Sequence, residues 1–176
     1  MDESKLSNPR DSRQFVVRRI RQLLVLFIAG LVVSGLTAFA LETEMAFLAD
    51  RLPLVGGSTY AGFHNWIQRI SRGLHETNQK FPFIAYGTDW LAFAHLVLAL
   101  LFVGPYRDPV RNKWVITFGM ISCALVIPLA LICGAVRGIP VYWQLIDCSF
   151  GIIGFVPLLM IHRHIVTLET AARTES

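Results

Sequence analysis

The sequence predicts an all-α, polytopic membrane protein with four transmembrane helices and an amphipathic helix on the outer side of the membrane. Two observations support this fold class. Hydrophobic residues make up 54% of the 176 residues and charged residues only 16%, whereas a soluble domain contains about 25% charged residues. The apolar residues also cluster in four runs, and a run of about 20 is long enough to cross a bilayer as a helix.

The predicted boundaries divide the chain into a basic start, a transmembrane domain and a polar end. Residues 1–21 form a basic cytoplasmic segment, and residues 167–176 form a cytoplasmic tail. Between them, 22–166 is the transmembrane domain. Its parts, in chain order, are spans at about 22–41, 89–106, 113–136 and 143–162, with an outer segment at 42–85 between the first two spans.

The outer segment contains one amphipathic helix, predicted over residues 60–77. Phe63, Trp66, Ile67, Ile70 and Leu74 follow helical spacing, while polar residues occupy the other faces. Such a helix can lie in the interface plane of the membrane or pack against other helices. We favour packing against the other helices.

Small residues predict where helices approach one another closely. In the first span Gly30, Ser34 and Ala38 recur at every fourth residue, which is the spacing of a small-xxx-small ridge. In the fourth span Gly151 and Gly154 lie on nearly the same face. We therefore expect helix contacts at both places.

The basic residues predict the orientation. They are concentrated in the N-terminal segment, in the turn around Arg107 and in the tail, which all lie on one side of the membrane. The positive-inside rule then places both termini in the cytoplasm. We expect a multi-pass protein of a cell inner membrane.

Six ionisable residues from four spans are expected in the outer third of the membrane. They are Glu42, Glu44, Asp89, His95, Arg137 and Asp147. Ionisable groups are costly inside a membrane and commonly mark functional sites. These residues are the candidate binding pocket, with His95 and Asp147 at its centre because they alone lie inside apolar runs.

Three interpretations of this layer stay open. The polar residues could form a structural network that fixes helix register, in which His95 and Asp147 pair with each other or with Arg137. Alternatively, they form an outward-facing pocket of a binding or accessory protein, which is the function that we favour and whose ligand is a partner helix, a lipid headgroup or a small solute. A further alternative is a membrane-embedded redox or metal-dependent enzyme that uses His95 as ligand or proton-transfer group. The sequence leaves open whether the protein is an enzyme.

No cofactor can be assigned from the sequence. His95, Asp147 and one neighbouring carboxylate are ligand types that a metal ion could accept, but the HExxH, GxSxG, P-loop and Rossmann motifs are absent. Haem needs two axial ligands at matching depth. His162 and His164 lie at the cytoplasmic end, so only His64 or His75 could meet His95.

The expected partners are the lipid bilayer and possible protein partners within it, either another membrane protein or a second copy of the chain. Nucleic acid is not expected, because most basic residues flank apolar runs. Cys123, Cys133 and Cys148 all lie within apolar runs as small packing residues. A disulfide between Cys133 and Cys148 stays open, since pairing depends on Cα separation and side-chain direction.

Three segments resemble a known group of proteins. They are Tyr86 to His95, Gly104 to Asn112 and Arg137 to Pro140. Together they are similar to a group of small bacterial four-span membrane proteins of unknown function, with the similarity running from the first span to the fourth. The resemblance implies a bacterial inner-membrane location. It implies no activity and no site residues.

Overall fold

A computed structural model describes residues 9–52 and 58–174 of the chain, and these are organised into helices without a strand. The seven α-helices are α1 (Pro9–Phe39), α2 (Leu41–Arg51), α3 (Ser58–Lys80), α4 (Ala85–Leu101), α5 (Val103–Arg107), α6 (Lys113–Arg137) and α7 (Val141–Thr174). A short 3-10 turn, Pro82–Ile84, precedes α4. The predicted all-α class is confirmed.

Four helical stretches within these residues are long and apolar enough to cross a membrane. They are Arg13–Phe39, Pro82–Arg107, Lys113–Arg137 and Val141–Ala171. In the most apolar part of each stretch, only 11% to 22% of the residues are buried by the chain itself. Most of this apolar surface must therefore be covered by lipid or by other proteins. The length and composition of these helices confirm the prediction of four transmembrane helices in a multi-pass membrane protein.

The helices differ from the predicted elements at their ends and in the outer segment. α1 begins at Pro9, inside the predicted basic segment, and α7 continues to Thr174, through most of the predicted tail. The outer segment contains two helices, α2 and α3, where the sequence predicted one. The second span begins earlier than predicted and is interrupted at Phe102, between α4 and α5.

The helices group into two compact units. The first comprises the described parts of Met1–Ala29 and Ala99–Ser176, and the second is Gly30–Leu98. In the first unit α6 and α7 form an antiparallel pair connected by a tight turn. Gly138 ends α6 in the left-handed conformation with φ of 65°, which glycine adopts without steric cost.

A buried amide side chain stabilises this turn. Gln144, only 7% exposed, donates from Nε2 to the carbonyl oxygen of Ile139 over 2.7 Å. Its side chain lies directly over Gly134, where an added Cβ would approach Gln144 Cγ to 2.5 Å. The glycine therefore makes the space that the amide occupies.

Further along the pair, glycines allow the helices to touch. A Cβ on Gly151 would lie 2.5 Å from the carbonyl oxygen of Cys123, and one on Gly154 would lie 3.0 Å from the Cys123 sulfur. The predicted close contact at Gly151 and Gly154 is confirmed. At the opposite end, Lys113 Nζ lies 2.7 Å from Glu169 Oε2, so the α6–α7 pair is connected at both ends.

In the second unit α1 and α4 approach closely at Gly35. A Cβ there would lie 2.9 Å from the carbonyl oxygen of Ala92 and 3.2 Å from His95 Cβ. The predicted ridge does not make this contact. Among the described residues nothing lies within 4 Å of a Cβ on Gly30, and Ser34 is exposed. The prediction at Gly30 is wrong because the contact uses the neighbouring face of the same helix.

The α2–α3 pair forms the rest of the second unit. The predicted amphipathic helix is present in α3, with Ile67 fully buried. Gln68 donates from Nε2 to the carbonyl oxygen of Ala49 over 2.9 Å, which links α3 to the buried side of α2. α1 and α2 are separated at Ala40, whose backbone N–H bonds to Thr37 rather than continuing the helical ladder.

Candidate functional site

A polar network links the beginning of α2 to the end of α3. Glu42 accepts hydrogen bonds from the side chains of Asn78 and His75, the latter over 3.0 Å between Oε1 and Nδ1. Gln79 Nε2 lies 2.9 Å from His75 Nε2. Both ring nitrogens of His75 are therefore engaged, and the contact with a carboxylate assigns the donated proton to Nδ1.

These hydrogen bonds lower the pKa of Glu42 below its ordinary value. The bond from Asn78 has the largest effect and the bond from His75 the next largest, while partial burial opposes them. A carboxylate that accepts hydrogen bonds is stabilised in its charged form. Glu42 is thus held as an anion, although it follows directly after an apolar span.

The Glu42–Asp89 groove, which we define by these two carboxylates, lies beside this network. It has a volume of about 530 Å³ and is lined by the end of α1, the beginning of α2, one face of α3 and the beginning of α4. Phe39, Ile70 and Leu74 contribute apolar surface. The groove therefore has an apolar wall next to a charged rim.

The charged rim contains one cation, Arg69, and one anion that forms no ion pair within the described ranges, Asp89. Arg69 lines the groove, with its guanidinium carbon 5.8 Å from the centre of the Trp66 ring. Within the described ranges, ion pairs involve neither Arg69 nor Asp89. Glu42 is already bonded to Asn78 and His75. Arg69 and Asp89 are consequently the charges available to a ligand.

A second, shallower cavity adjoins the groove and shares Phe39 and Asp89 with it. Its volume is about 280 Å³, and Tyr86, Trp90 and Phe93 complete its lining. We call the four aromatic residues and Asp89 the aromatic patch. The Trp90 ring stands perpendicular to the rings of Tyr86 and Phe93, at 89° to each, with centroid distances of 5.9 Å and 6.4 Å.

Four of the six predicted site residues belong to the second unit: Glu42, Glu44, Asp89 and His95. Two of them, Glu42 and Asp89, line one groove. Glu44 is outside the groove lining. His95 also lies outside it and donates from Nδ1 to the carbonyl oxygen of Leu91, 2.8 Å away in the same helix.

The remaining two predicted residues, Arg137 and Asp147, belong to the first unit. Arg137 is the exposed last residue of α6, and Asp147 is partly buried in α7. In the described part of that unit, neither side chain makes a hydrogen bond or ion pair. Cys123, Cys133 and Cys148 are free thiols, so the disulfide left open between Cys133 and Cys148 is not formed.

The described side chains do not assemble a metal site from three or more His, Cys, Asp or Glu residues. Of the predicted metal ligands His95 and Asp147, His95 retains Nε2 for such a role because its Nδ1 donates to the carbonyl oxygen of Leu91. His75 is less suited to meet His95 as a haem ligand, since Glu42 and Gln79 occupy both its nitrogens.

Sequence reasoning missed three parts of the site: Asn78, Arg69 and the aromatic patch. Asn78 and Arg69 lie on α3, in the segment interpreted mainly through its apolar stripe. A signal for the patch is present, because Tyr86, Asp89, Trp90 and Phe93 follow the i, i+3, i+4, i+7 spacing of one helix face. Phe39 could not be added to them without the fold.

Comparisons with models of protein families, with curated proteins and with solved structures find no match for this chain.

Proposed function

We propose that this chain is a multi-pass inner-membrane binding protein whose Glu42–Asp89 groove faces outward and holds the headgroup of a membrane lipid. The supporting observation is the position of the groove. It lies where one apolar span ends, at Phe39, and it is lined by residues from the first turns of the span Pro82–Arg107, among them Asp89. The ends of membrane-spanning helices reach the level of lipid headgroups.

The lining supports an amphiphilic ligand over a purely polar one. Phe39, Ile70 and Leu74 present apolar surface, whereas Arg69 and Asp89 present opposite charges. A pocket of this kind gains affinity from its apolar area and selectivity from a few polar groups. A lipid headgroup with the first part of its chains matches this division.

The distribution of basic residues supports the outward orientation. Lys and Arg are concentrated in the first half of α1, around the connection between α5 and α6, and beyond the apolar part of α7. Under the positive-inside rule these places are cytoplasmic, which puts α2 and α3 on the outer side. The resemblance to small bacterial four-span proteins supports an inner-membrane location.

The proposal is tested with Gly73→Phe, a variant that fills the groove. Gly73 lines the groove and has nothing within 4 Å of an added Cβ, so a side chain introduced there begins in open space and extends into the groove. The probes are dihexanoyl phosphatidylcholine and dihexanoyl phosphatidylglycerol, titrated by calorimetry into detergent-purified protein. We expect binding of at least one lipid and a loss of about 10-fold or more in affinity in the variant.

Gly30→Phe is the matched control, because Gly30 is also a helical glycine with nothing within 4 Å of an added Cβ. It lies outside the groove, so its affinity should equal that of the wild type. Absence of binding by both lipids to the folded wild-type protein would refute the lipid-binding function. Equal affinity of wild type and Gly73→Phe would refute the groove as its site.

One observation favours a second candidate function, a redox or metal-dependent enzyme. The bond from His95 Nδ1 to the Leu91 carbonyl oxygen fixes the ring orientation and leaves Nε2 to act. Ligating histidines are commonly held in this way by a backbone carbonyl. His95 could then serve as a metal ligand or a proton-transfer group.

Metal analysis and an optical spectrum of purified protein distinguish this candidate. A stoichiometric metal or chromophore that is present in the wild type and lost in His95→Ala would establish the enzyme-type site. A metal-free, colourless wild type purified from metal-replete cells would argue against it. In that case the lipid-binding function is the better supported one.

A further inference from the structure

The rings of the aromatic patch are grouped on one side of α4, and the Trp90 ring stands at right angles to two of the others. Aromatic residues that only anchor a helix at the membrane interface do not need this arrangement. Tyr86, Trp90 and Phe93 lie on one face of α4, and Phe39 joins them from the end of α1. Because the Trp90 ring is perpendicular to both of its neighbours, the rings form walls in different directions. They line a shallow, open cavity and do not form a flat stack.

Membrane proteins often place Trp and Tyr at the interface as anchors, and an anchor needs no acid beside it. Here Asp89 lies within the same cavity as the four rings. A carboxylate without a cationic partner near the hydrocarbon boundary is unfavourable. The combination of ring faces and an anion therefore calls for a positively charged occupant.

The preferred occupant is an organic ammonium group. Aromatic faces attract cations through the ring quadrupole, and cages of such rings are the usual recognition site for quaternary ammonium groups. The carboxylate of Asp89 adds direct charge attraction. The adjoining Glu42–Asp89 groove contains Arg69, whose guanidinium suits a phosphate.

We propose that the aromatic patch binds the ammonium group of a zwitterionic phospholipid headgroup, with its phosphate directed toward Arg69 in the Glu42–Asp89 groove. This inference rests on the proposed lipid-binding function and names the headgroup class. Charge complementarity supports it, because the patch and the groove offer one anion and one cation in cavities that share Phe39 and Asp89.

The test compares two short-chain lipids that differ in headgroup charge. Detergent-purified protein is titrated with dihexanoyl phosphatidylcholine and with dihexanoyl phosphatidylglycerol. We expect phosphatidylcholine to bind about 10-fold more tightly. Asp89→Asn and Trp90→Ala should each remove most of this preference, and Trp90→Phe should keep much of it because a ring remains.

Trp114→Ala is the matched control for Trp90→Ala. Trp114 is 61% exposed and Trp90 is 58% exposed, and Trp114 lies at the beginning of α6 outside the patch. Its loss should leave the phosphatidylcholine preference unchanged. A preference that survives both Trp90→Ala and Asp89→Asn would overturn the assignment to the patch.

Three outcomes test this inference together with the proposed function. Equal, groove-dependent binding of both lipids refutes the ammonium site and leaves the lipid-binding function intact. Binding of neither lipid refutes both. Tetramethylammonium chloride is the third probe, and if it binds as tightly as phosphatidylcholine, the occupant is a free organic cation and the phospholipid assignment is wrong.

Discussion

At the scale of single residues, the Glu42 network shows how an acid is kept ionised at the end of an apolar helix. The sequence located Glu42 and Asp89 as site candidates because charged residues at helix ends are visible in a hydropathy pattern. It could not supply Asn78 and His75, because their contacts with Glu42 bring together residues from opposite ends of the α2–α3 pair. Pairings of that kind depend on the fold.

The lowered pKa of Glu42 predicts a pH dependence of stability with a definite sign. The pKa of Glu42 is lower in the folded protein than in the unfolded chain, where glutamate titrates at about 4.3. Its stabilising contribution is therefore complete above that value and is lost as the pH falls through the folded pKa. In thermal unfolding, Glu42→Gln should be less stable than the wild type at pH 7, and the difference should shrink in acid.

Glu44→Gln provides the control for this experiment. Glu44 is two residues from Glu42, and in the described part of the chain its side chain makes no hydrogen bond or ion pair. Its substitution should change the unfolding temperature little at either pH. A stability difference between Glu42→Gln and wild type that is the same at pH 7 and at low pH would contradict the proposed role of the Glu42 carboxylate.

At the scale of helices, the apolar runs and the glycine spacing in the fourth span predicted the structure correctly, whereas the polar segment between the first two spans did not reveal α2. The four spans and the contact at Gly151 and Gly154 follow from composition and periodicity. The ridge at Gly30 failed, because small residues on two faces of α1 compete and Gly35 makes the contact with α4. α2 was missed although Glu42 and Glu44 lie in its first turn and Arg51 in its last, a charge order that stabilises a helix.

Replacing a glycine by alanine should change the stability of the protein in opposite directions at Gly151 and at Gly30. Gly151→Ala places a Cβ 2.5 Å from the Cys123 carbonyl oxygen, and such overpacking costs about 1–3 kcal/mol. Gly30→Ala meets nothing within 4 Å and should raise stability by about 0.5–1 kcal/mol, because alanine favours the helix. Unfolding of both variants in the same detergent gives the comparison. A Gly151→Ala protein as stable as Gly30→Ala would contradict the close packing of α6 on α7.

At the scale of the whole molecule, the proposed orientation in the membrane rests on the distribution of charge rather than on helix packing. The helices define which segments connect consecutive spans, and the basic residues predict on which side of the membrane each segment lies. Function did not follow from the sequence in the same way. The groove and the patch combine residues from several helices, and their spacing along the chain gives no motif.

Cysteine accessibility tests the orientation. In a variant lacking the three native cysteines, Glu76→Cys on α3 and Arg111→Cys between α5 and α6 report on opposite sides. Both positions are exposed. A membrane-impermeant maleimide should label Glu76→Cys in intact cells and Arg111→Cys only after permeabilisation, because the basic turn is predicted to be cytoplasmic. The reverse pattern would place the groove on the cytoplasmic side.

The turn between α6 and α7 has a consequence for how the protein enters the membrane. The side-chain amide of Gln144 donates a hydrogen bond to the carbonyl oxygen of Ile139 within the same hairpin. The amide fits there because Gly134 has no side chain. A polar group without a hydrogen-bond partner is costly in hydrocarbon. Because this amide finds its partner within the hairpin, it needs no partner from another helix. We therefore expect α6 and α7 to leave the translocon together as a preformed hairpin. Crosslinking α6 to α7 in ribosome-bound chains should capture that intermediate, and Gln144→Leu should delay it.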